Sequence, residues 1–469
     1  MPGKKVLKEL ERIVGAANIT ADPADLSLYS YDATNNESLP DCVVFPDGAG
    51  QVSEILKIAS AERVPVVPRG AGSGMSGGSI PVKGGIVLSL TRMNRILEIS
   101  REDMVCRAEA GAVTGEIASA VAREGLYYPP DPSSLNFCTI GGNIAHNAGG
   151  LHAVKYGVTK NWLLGLIAVL PDGEVLKTGV RTMKGVVGYD LTRLICGSEG
   201  TLAVVTEVTL KLIPQPASRA VAVAAFPGAV EAGAAVSSIM SAKILPAMLE
   251  FMDNTAVRCV EGYIKAGLPV DAGGVLLVEL DGHPEAVKAE MATAVAIMEK
   301  HGASGIRHST DQTECERLWQ ARRSVAPSLG RVSPRRVSED ITVPRSAIPE
   351  ALKGAAEIGR RHDITMAVFG HAGDGNLHVN MLIDQRDPVL KPRIEAAVKD
   401  VMALAIRLNG TISGEHGVGI TKQRYIGMEI GPGGLAVLRK IKQSFDPNNI
   451  LNPGKILPVD EEAPQKTGA

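Results

Sequence analysis

Glycine placement constrains this chain more than any other feature. Three glycine-rich stretches in the first 215 residues each abut an apolar run of strand type: PRGAGSGMSGG at 68–78, PPDPSSLNFCTIGGNIAHNAGG at 129–150 and GSEGTLAVVTE at 197–207. Five glycines in the eleven residues of the first cannot pack a core. They let successive backbone N–H groups converge on one point, a geometry that suits a pyrophosphate. One such loop alone reads equally well as a linker. Three, each beside a strand, describe one extended nucleotide cofactor gripped at several points. The first loop is not the strand–GxGxxG–helix fingerprint, because Gly85 to Leu90 after it reads as another strand.

Buried strands and amphipathic helices alternate around that loop. Residues 6–16 form a helix with Val6, Leu7, Leu10, Ile13 and Val14 on one side. Cys42 to Phe45 is a strand, 50–62 a helix and Val64 to Val67 a strand, together a small βαβ unit. Leu163 to Leu170 is the longest clean apolar run, far short of the roughly 18 residues of a membrane span. Val204 to Ile213 is a strand closed by Pro214 and Pro216. Beyond 217 the pattern restarts: strand 219–226, helix 228–241, strand 246–252, helix 254–266, strand 274–280 and helix 284–301 read as a ferredoxin-like unit with Val275 to Leu280 as its central strand. Residues 310–329 read as one helix with Leu318, Ala321 and Val325 on a stripe, 346–361 as another, and 389–408 as a third ended by Asn409-Gly410. The tail is a helix and then a proline- and asparagine-rich turn, with 458–469 expected to be disordered.

At 469 residues the chain exceeds one ordinary core. A formal net charge of −2 and the lack of a long basic block argue against nucleic-acid binding. Six cysteines, at 42, 106, 138, 196, 259 and 315, stand singly, so no iron–sulfur centre is expected within the chain and the thiols are expected to be reduced. The first fifteen residues carry a helix pattern rather than the apolar stretch of an export signal. These readings suggest a cytoplasmic protein without a membrane span; peripheral attachment through a partner stays open.

Asp374-Gly375, between two apolar runs, signals a two-residue hairpin turn. A turn centred there sets residue 373 against 376, 372 against 377 and 371 against 378. His371 and His378 would then face each other with Cβ atoms roughly 5 Å apart, and Asn380 would share their face. Two facing imidazoles lack only a carboxylate to form a metal site; the bland alternative is a solvent-facing histidine pair. The chain has nine histidines, and another Glu-His pair, Glu415-His416, sits in the glycine-rich stretch TISGEHGVG at 411–419.

The three glycine stretches resemble the FAD-binding domain of the vanillyl-alcohol oxidase / p-cresol methylhydroxylase family. GHAGDGNLHVN (370–380), SGEHGVG (413–419) and FDPNNILNPGKI (445–456) resemble its D-2-hydroxyacid dehydrogenase branch, which includes the flavin subunit of glycolate oxidase, D-lactate dehydrogenases and D-2-hydroxyglutarate dehydrogenases. The likeness runs in order from about residue 40 to 457. It implies an α+β fold: a two-subdomain FAD-binding domain at 1–216, a cap with the substrate and metal residues at 217–420, and a helical C-terminal segment at 421–469 that returns to the FAD domain. The implied FAD contacts are Pro68, Arg69, Gly70, Ala71, Gly72, Ser73, Gly74 and Met75; Pro132, Ser133, Ser134, Thr139, Gly141, Gly142, Asn143 and Ala145; Glu199, Gly200, Val204 and Val205; and Asn452. Some relatives attach FAD covalently through a histidine in the first loop. Residues 68–78 contain none, so non-covalent FAD is expected; His146 and His152 near the second loop are structural or flavin-contacting.

The resemblance adds Glu415 to His371 and His378 as metal ligands, with zinc expected and iron or manganese open. It assigns Arg322, in LWQAR, to the substrate carboxylate, because a planar fork suits that group. His416 would take the C2 hydroxyl proton, the metal would polarise that hydroxyl, Asn380 would hydrogen-bond the substrate, and hydride would pass from C2 to flavin N5. Where some D-2-hydroxyglutarate enzymes have a hydroxyl and a lysine for the distal carboxylate, this chain has Ala326 and Ser338, with Arg335 and Arg336 near but not cleanly aligned. That favours a small 2-hydroxy acid such as D-lactate or glycolate. Reduced flavin would need an external acceptor, such as an iron–sulfur subunit or an electron-transfer flavoprotein; a homo-oligomer stays open. The competing readings are a metal-dependent hydrolase of a nucleotide substrate, a non-redox FAD transferase of the alkyl-dihydroxyacetone-phosphate synthase type, and a non-catalytic flavin-binding subunit.

Overall fold

In the computed structural model, which describes residues 3–384 and 386–458, the chain builds sheets of four, five and seven strands and one short two-stranded pair. The tail from 459 on, expected to be disordered, lies outside the described residues.

In the four-stranded sheet, Cys42–Val44, Ile86–Ser89 and Val66–Arg69 run parallel, with Ile86–Ser89 in the middle. The expected βαβ unit is therefore not a neighbouring pair: the strand after the glycine loop inserts between the strands that precede it. All three are apolar enough to be buried there. Val66–Arg69 ends where the first loop begins, so the loop sits at the carboxyl end of a parallel sheet, the usual ligand edge. The five-stranded sheet is antiparallel: Ile96–Ser100, Val105–Glu109, Val204–Lys211, Leu163–Val169 and Val175–Gly179. The two sheets share one apolar core, from Val44 and Ile86 through to Ala108, Leu166 and Val204.

The second glycine stretch is partly helical. Ile140–His146 forms two turns, with Thr139 Oγ1 accepting from Gly142 N at 3.3 Å and Asn147 closing it in the left-handed region at φ 50°. Gly141 permits this, because a Cβ there would stand 2.7 Å from the Ala110 side chain and 2.8 Å from its carbonyl oxygen.

The seven-stranded sheet is antiparallel throughout and covered on both faces. Its order is Ser304–Ser309, Ser218–Phe226, Gly274–Gly282, Met248–Asp253, Met366–His371, Asn376–Met381 and Val337–Thr342. Its first four strands, numbered along the chain, stand in the order 4-1-3-2. Gly274–Gly282 is interior, while the middle position belongs to Met248–Asp253. Helices Ala229–Ser241, Pro284–Lys300, Ile348–Arg361 and Lys391–Arg407 cover one face. Asn254–Ile264, Gln312–Arg323 and Val325–Val332 cover part of the other. Double coverage explains why Ser218–Phe226 is almost continuously apolar although its neighbours are antiparallel.

The single helix expected over 310–329 breaks at Ser324. Pro327 has no N–H to donate, and its ring crowds the carbonyl four residues back, at Arg323. The C-terminal helix Ile426–Phe445 is kinked at Gly431, ahead of Pro432. The segment after it returns to the first sheet: Asn452 N donates to Val66 O at 2.8 Å, and Val66 N to Ile450 O at 2.8 Å.

Candidate functional site

The hairpin is present, but its register differs from the expected one. His371 pairs with Asn376, Phe369 with His378 and Ala367 with Asn380. The turn has four residues, 372–375, rather than two: Gly375 N and Asp374 N both reach back to His371 O, and Gly375 takes φ 87°. Asp374 accepts from Asn376 N at 3.1 Å through its own carboxylate, closing a local turn that competes with the tighter one. The slip is two residues, so it leaves every side chain on its expected face. His371 and His378 are thus diagonal neighbours, with rings 5.2 Å apart and nearly perpendicular, and Asn380 shares their side.

Glu415 comes to both imidazoles from the 411–419 loop. Its Oε1 lies 3.3 Å from His371 Nε2 and 3.4 Å from His378 Nε2, and donor atoms of the three residues all lie within 4.8 Å of one another. For tetrahedral ligation with bonds of about 2.1 Å, ligand atoms sit about 3.4 Å apart, so the trio has the spacing of a shared metal ion. The donor chemistry fits as well. Burial and the neighbouring His371, His416 and Arg322 outweigh Glu415 and hold His378 well below the usual histidine range, as a neutral imidazole. Burial would raise the Glu415 carboxyl, but the facing His371 and His378 bring it down to about 2.

A residue not foreseen from the sequence orients His371. Glu250, fully buried on Met248–Asp253, accepts from His371 Nδ1 at 2.8 Å, leaving Nε2 toward the trio. Burial would lower the His371 pKa, yet Glu250 and Glu415 lift it well above its usual value. Glu250 also takes Arg322 Nε at 2.7 Å and Nη2 at 2.6 Å on its other oxygen. Arg322 therefore gives its Nε–Nη2 edge to Glu250 and lies over the Phe369 ring, 4.9 Å from the centroid. The sequence carried one signal for Glu250, a lone internal carboxylate in the apolar run MLEFM.

His416 stacks on His378 with rings 5.3 Å apart and 13° from parallel. Its Nδ1 lies 3.3 Å from Asp340 Oδ1, within ion-pairing distance though not aligned as a hydrogen bond. Asp340, directly opposite His378 across the sheet, is buried and accepts from Glu415 N at 2.7 Å, His416 N at 3.1 Å and the Lys422 ammonium. Burial opposes its charge, but His416 and Lys422 hold the carboxyl far below the usual range.

The glycine stretches line one cleft of about 1220 Å³ including its open mouth, and Glu415 and His416 stand in its wall. Pro68 through Met75, Pro132, Ser133, Ser134, Thr139, Gly141, Gly142, Asn143, Ala145, Glu199, Gly200 and Val205 all line it. Two expected contacts do not. Val204 points into the core because strand neighbours alternate. Asn452 is buried behind the loops, its amide donating to Gly78 O and Glu199 O, both at 2.7 Å. Arg69 folds under its own loop, donating to Ser79 Oγ at 3.2 Å. Glu199 joins the halves of the site by accepting from Val418 N at 2.7 Å and Gly419 N at 2.8 Å. His146 lines the cleft, whereas His152 is buried against Asp131 at 2.8 Å. The glycines let the walls of the cleft close on one another: a Cβ on Gly70 would stand 2.1 Å from Thr139 Oγ1, and one on Gly149 would meet Glu415 Oε2 at 2.7 Å.

Comparison with known proteins agrees with this geometry. Residues 40–179 match the family described as FAD binding domain, and 215–456 match FAD linked oxidases, C-terminal domain. The chain is 43% identical over 458 residues to glycolate oxidase subunit GlcD of Bacillus subtilis (strain 168), covering 97% of each chain. It is 33% identical over 432 residues to a D-lactate dehydrogenase of Anaerostipes hadrus, covering 90% of this chain and 91% of that one. Among solved structures, p-cresol methylhydroxylase with substrate bound has the same fold, with a TM-score of 0.78 at 17% identity over 96% of each chain.

Proposed function

Because the chain belongs to the FAD-linked oxidases, as an oxidoreductase of the glycolate oxidase and D-lactate dehydrogenase type, we propose that it oxidises a small D-2-hydroxy acid, glycolate or D-lactate, to the 2-oxo acid. One observation carries the reading: Glu415 and His416 stand in the wall of the cleft that the three glycine stretches line.

The loops at 68–75, 132–145 and 199–205 would hold the FAD, without a covalent bond, since the first loop offers no histidine. When bound, FAD supplies the acceptor for the substrate's C2 hydride. His371, His378 and Glu415 would hold a divalent ion, zinc by preference, whose chemistry is to lower the pKa of the substrate hydroxyl. His416 takes the hydroxyl proton at Nε2, and Asp340 beside Nδ1 steadies the imidazolium that forms. Asn380 hydrogen-bonds the substrate from the same sheet face.

The described cysteines are single free thiols, so the electrons leave to an external protein, an iron–sulfur subunit or an electron-transfer flavoprotein. No described helix is long and apolar enough to cross a membrane; we place the protein in the cytoplasm, with peripheral attachment through its acceptor. We keep the division into a flavin domain at 1–216, a cap at 217–420 and a returning segment at 421–469. We read the 4-1-3-2 strands of the cap as ferredoxin-like.

The test is a visible spectrum of the purified protein with metal analysis of the same sample. Flavin bands that bleach anaerobically with D-lactate or glycolate support the reading. A colourless protein that takes up no FAD, or flavin that no 2-hydroxy acid bleaches, sinks it.

A further inference from the structure

The motif Asn452-Pro453-Gly454-Lys455 lies outside the hairpin and the glycine stretches, yet the fold ties it to two of those stretches. Proline followed by glycine, with Gly454 at φ 82°, is the order of a type II turn. The turn brings its first and fourth side chains together, so Lys455 Nζ donates to Asn452 Oδ1 at 2.9 Å. Both residues are buried. The Asn452 amide donates to Gly78 O and Glu199 O, both at 2.7 Å. Lys455 Nζ donates to Ile80 O at 2.6 Å and reaches Gly78 O at 3.4 Å.

These bonds fix two peptide planes. In a trans peptide the carbonyl oxygen and the following N–H point in opposite directions. Gly78 O and Glu199 O are held from behind the loops, so the N–H groups of Ser79 and Gly200 are turned the other way, into the cleft that all four residues line. Among the described residues neither N–H has a protein acceptor.

A charge stands behind the same peptides. Lys422 and Lys442 meet the carboxylates of Asp340 and Asp446, whereas the three partners of Lys455 are neutral oxygens. Burial lowers the Lys455 pKa to about 8, against the pull of Glu199 and Asp32. Glu199 spends its carboxylate on Val418 N and Gly419 N, and Asp32 accepts from Thr34, with Arg69 and His146 acting on it in turn. A desolvated ammonium without a paired carboxylate is costly unless an anion comes to stand opposite it.

We infer that Asn452 and Lys455 are positioning residues for the FAD diphosphate: Asn452 aims the Ser79 and Gly200 N–H groups at it, and the Lys455 ammonium supplies counter-charge from behind them. Converging backbone N–H groups backed by a cation suit a phosphate oxygen. The diphosphate is the part of FAD that is anionic in both redox states. The assignment rests on the FAD reading above and is independent of which hydroxy acid is oxidised.

The experiment measures Kd for FAD and for ADP, which carries the diphosphate without the flavin, in wild type and Lys455→Met at pH 7 and 9. Redox titration of bound FAD compares affinity for its oxidised and reduced forms. Lys455→Met should raise both Kd values at pH 7 roughly 10- to 100-fold, as for loss of one unlike charge across a peptide's width at an effective dielectric of about 20. Oxidised and reduced FAD should lose affinity by the same factor. In wild type the ammonium is charged below its pKa of about 8, so FAD should bind roughly 5- to 10-fold more weakly at pH 9 than at pH 7. Lys455→Met should lose most of that slope. FAD affinity within twofold of wild type would overturn the assignment, as would unchanged ADP affinity beside weakened FAD. A loss threefold larger for reduced FAD would place the cation at the flavin ring and also overturn it. Should Lys455→Met not fold, wild type alone decides, because a flat FAD Kd from pH 7 to 9 is the refuting result. If wild type takes up no FAD, the FAD reading fails by itself. ADP then decides Lys455, and equal or absent ADP binding overturns its role.

Discussion

Replacing Glu250 with glutamine keeps the side chain's size and removes its charge. One oxygen holds His371 Nδ1 at 2.8 Å and the other holds Arg322 Nε and Nη2 at 2.7 and 2.6 Å, with no solvent exposure. Two losses follow, and they separate. A ligand histidine that loses its carboxylate partner weakens metal binding by roughly 10- to 100-fold. The stranded Arg322 is the second loss: breaking a buried pair from one side costs about 3–5 kcal/mol. Its contact with Phe369 is present in both proteins and cancels, so a destabilisation of about 3–5 kcal/mol is expected. Chelator competition should show the weaker metal Kd in E250Q, and urea unfolding the lower stability. In E250Q/R322M the stranded cation is gone, so stability should recover while metal affinity stays low. Wild-type metal affinity in E250Q, or a double variant no more stable than E250Q, would refute the proposed chain from Arg322 through Glu250 to His371.

The trio itself should be separable from the flavin cradle: Glu415→Gln and His371→Ala are expected to lose bound metal and substrate bleaching while keeping FAD, which spectra and metal analysis of one sample would show. Gly141→Ala should loosen FAD by about tenfold or more, because the new Cβ meets Ala110 at 2.7 Å; FAD release on dilution, followed by fluorescence, checks this. His152 governs a pH effect. Burial opposes its charge, but Asp131 and then Glu279 carry its pKa to about 9, above an unfolded value of about 6.5. The charged ring therefore contributes stability in full below about pH 6.5, and loses roughly 3 kcal/mol of it as pH rises through that window to about 9. Urea unfolding at the two ends of the window should show this loss in wild type and a flatter profile in His152→Gln; matching profiles would remove His152 from the effect.

The glycine lining of the cleft was legible because its information is local. Gly70 and Gly141 are required where Thr139 and Ala110 come close, and the run of glycines announces that closeness before the partners are known. The helix over 140–146 was less visible, since Thr139 as its cap and glycine as its filler send opposite messages. Pro327 did announce the break at Ser324, but the apolar stripe across it suggested continuity.

By itself the sequence determined that a turn includes Asp374-Gly375, though not its four-residue length, that His371, His378 and Asn380 share a face, and that the glycine loops gather at one cleft. These follow from turn chemistry and from a strand's period of two, which also made the site indifferent to a two-residue error in register. Only the tertiary structure decided which charge meets which. Glu250 lies 121 positions before His371 and Glu415 lies 44 after it. The two acids reach one imidazole because Met248–Asp253 pairs with the hairpin and Glu199 pulls the 411–419 loop against the cleft. The same pairing gives Arg322 its partner in Glu250. Backbone preferences are set by a residue and its neighbours, whereas the partner of a buried charge is set by which elements the folded core brings together.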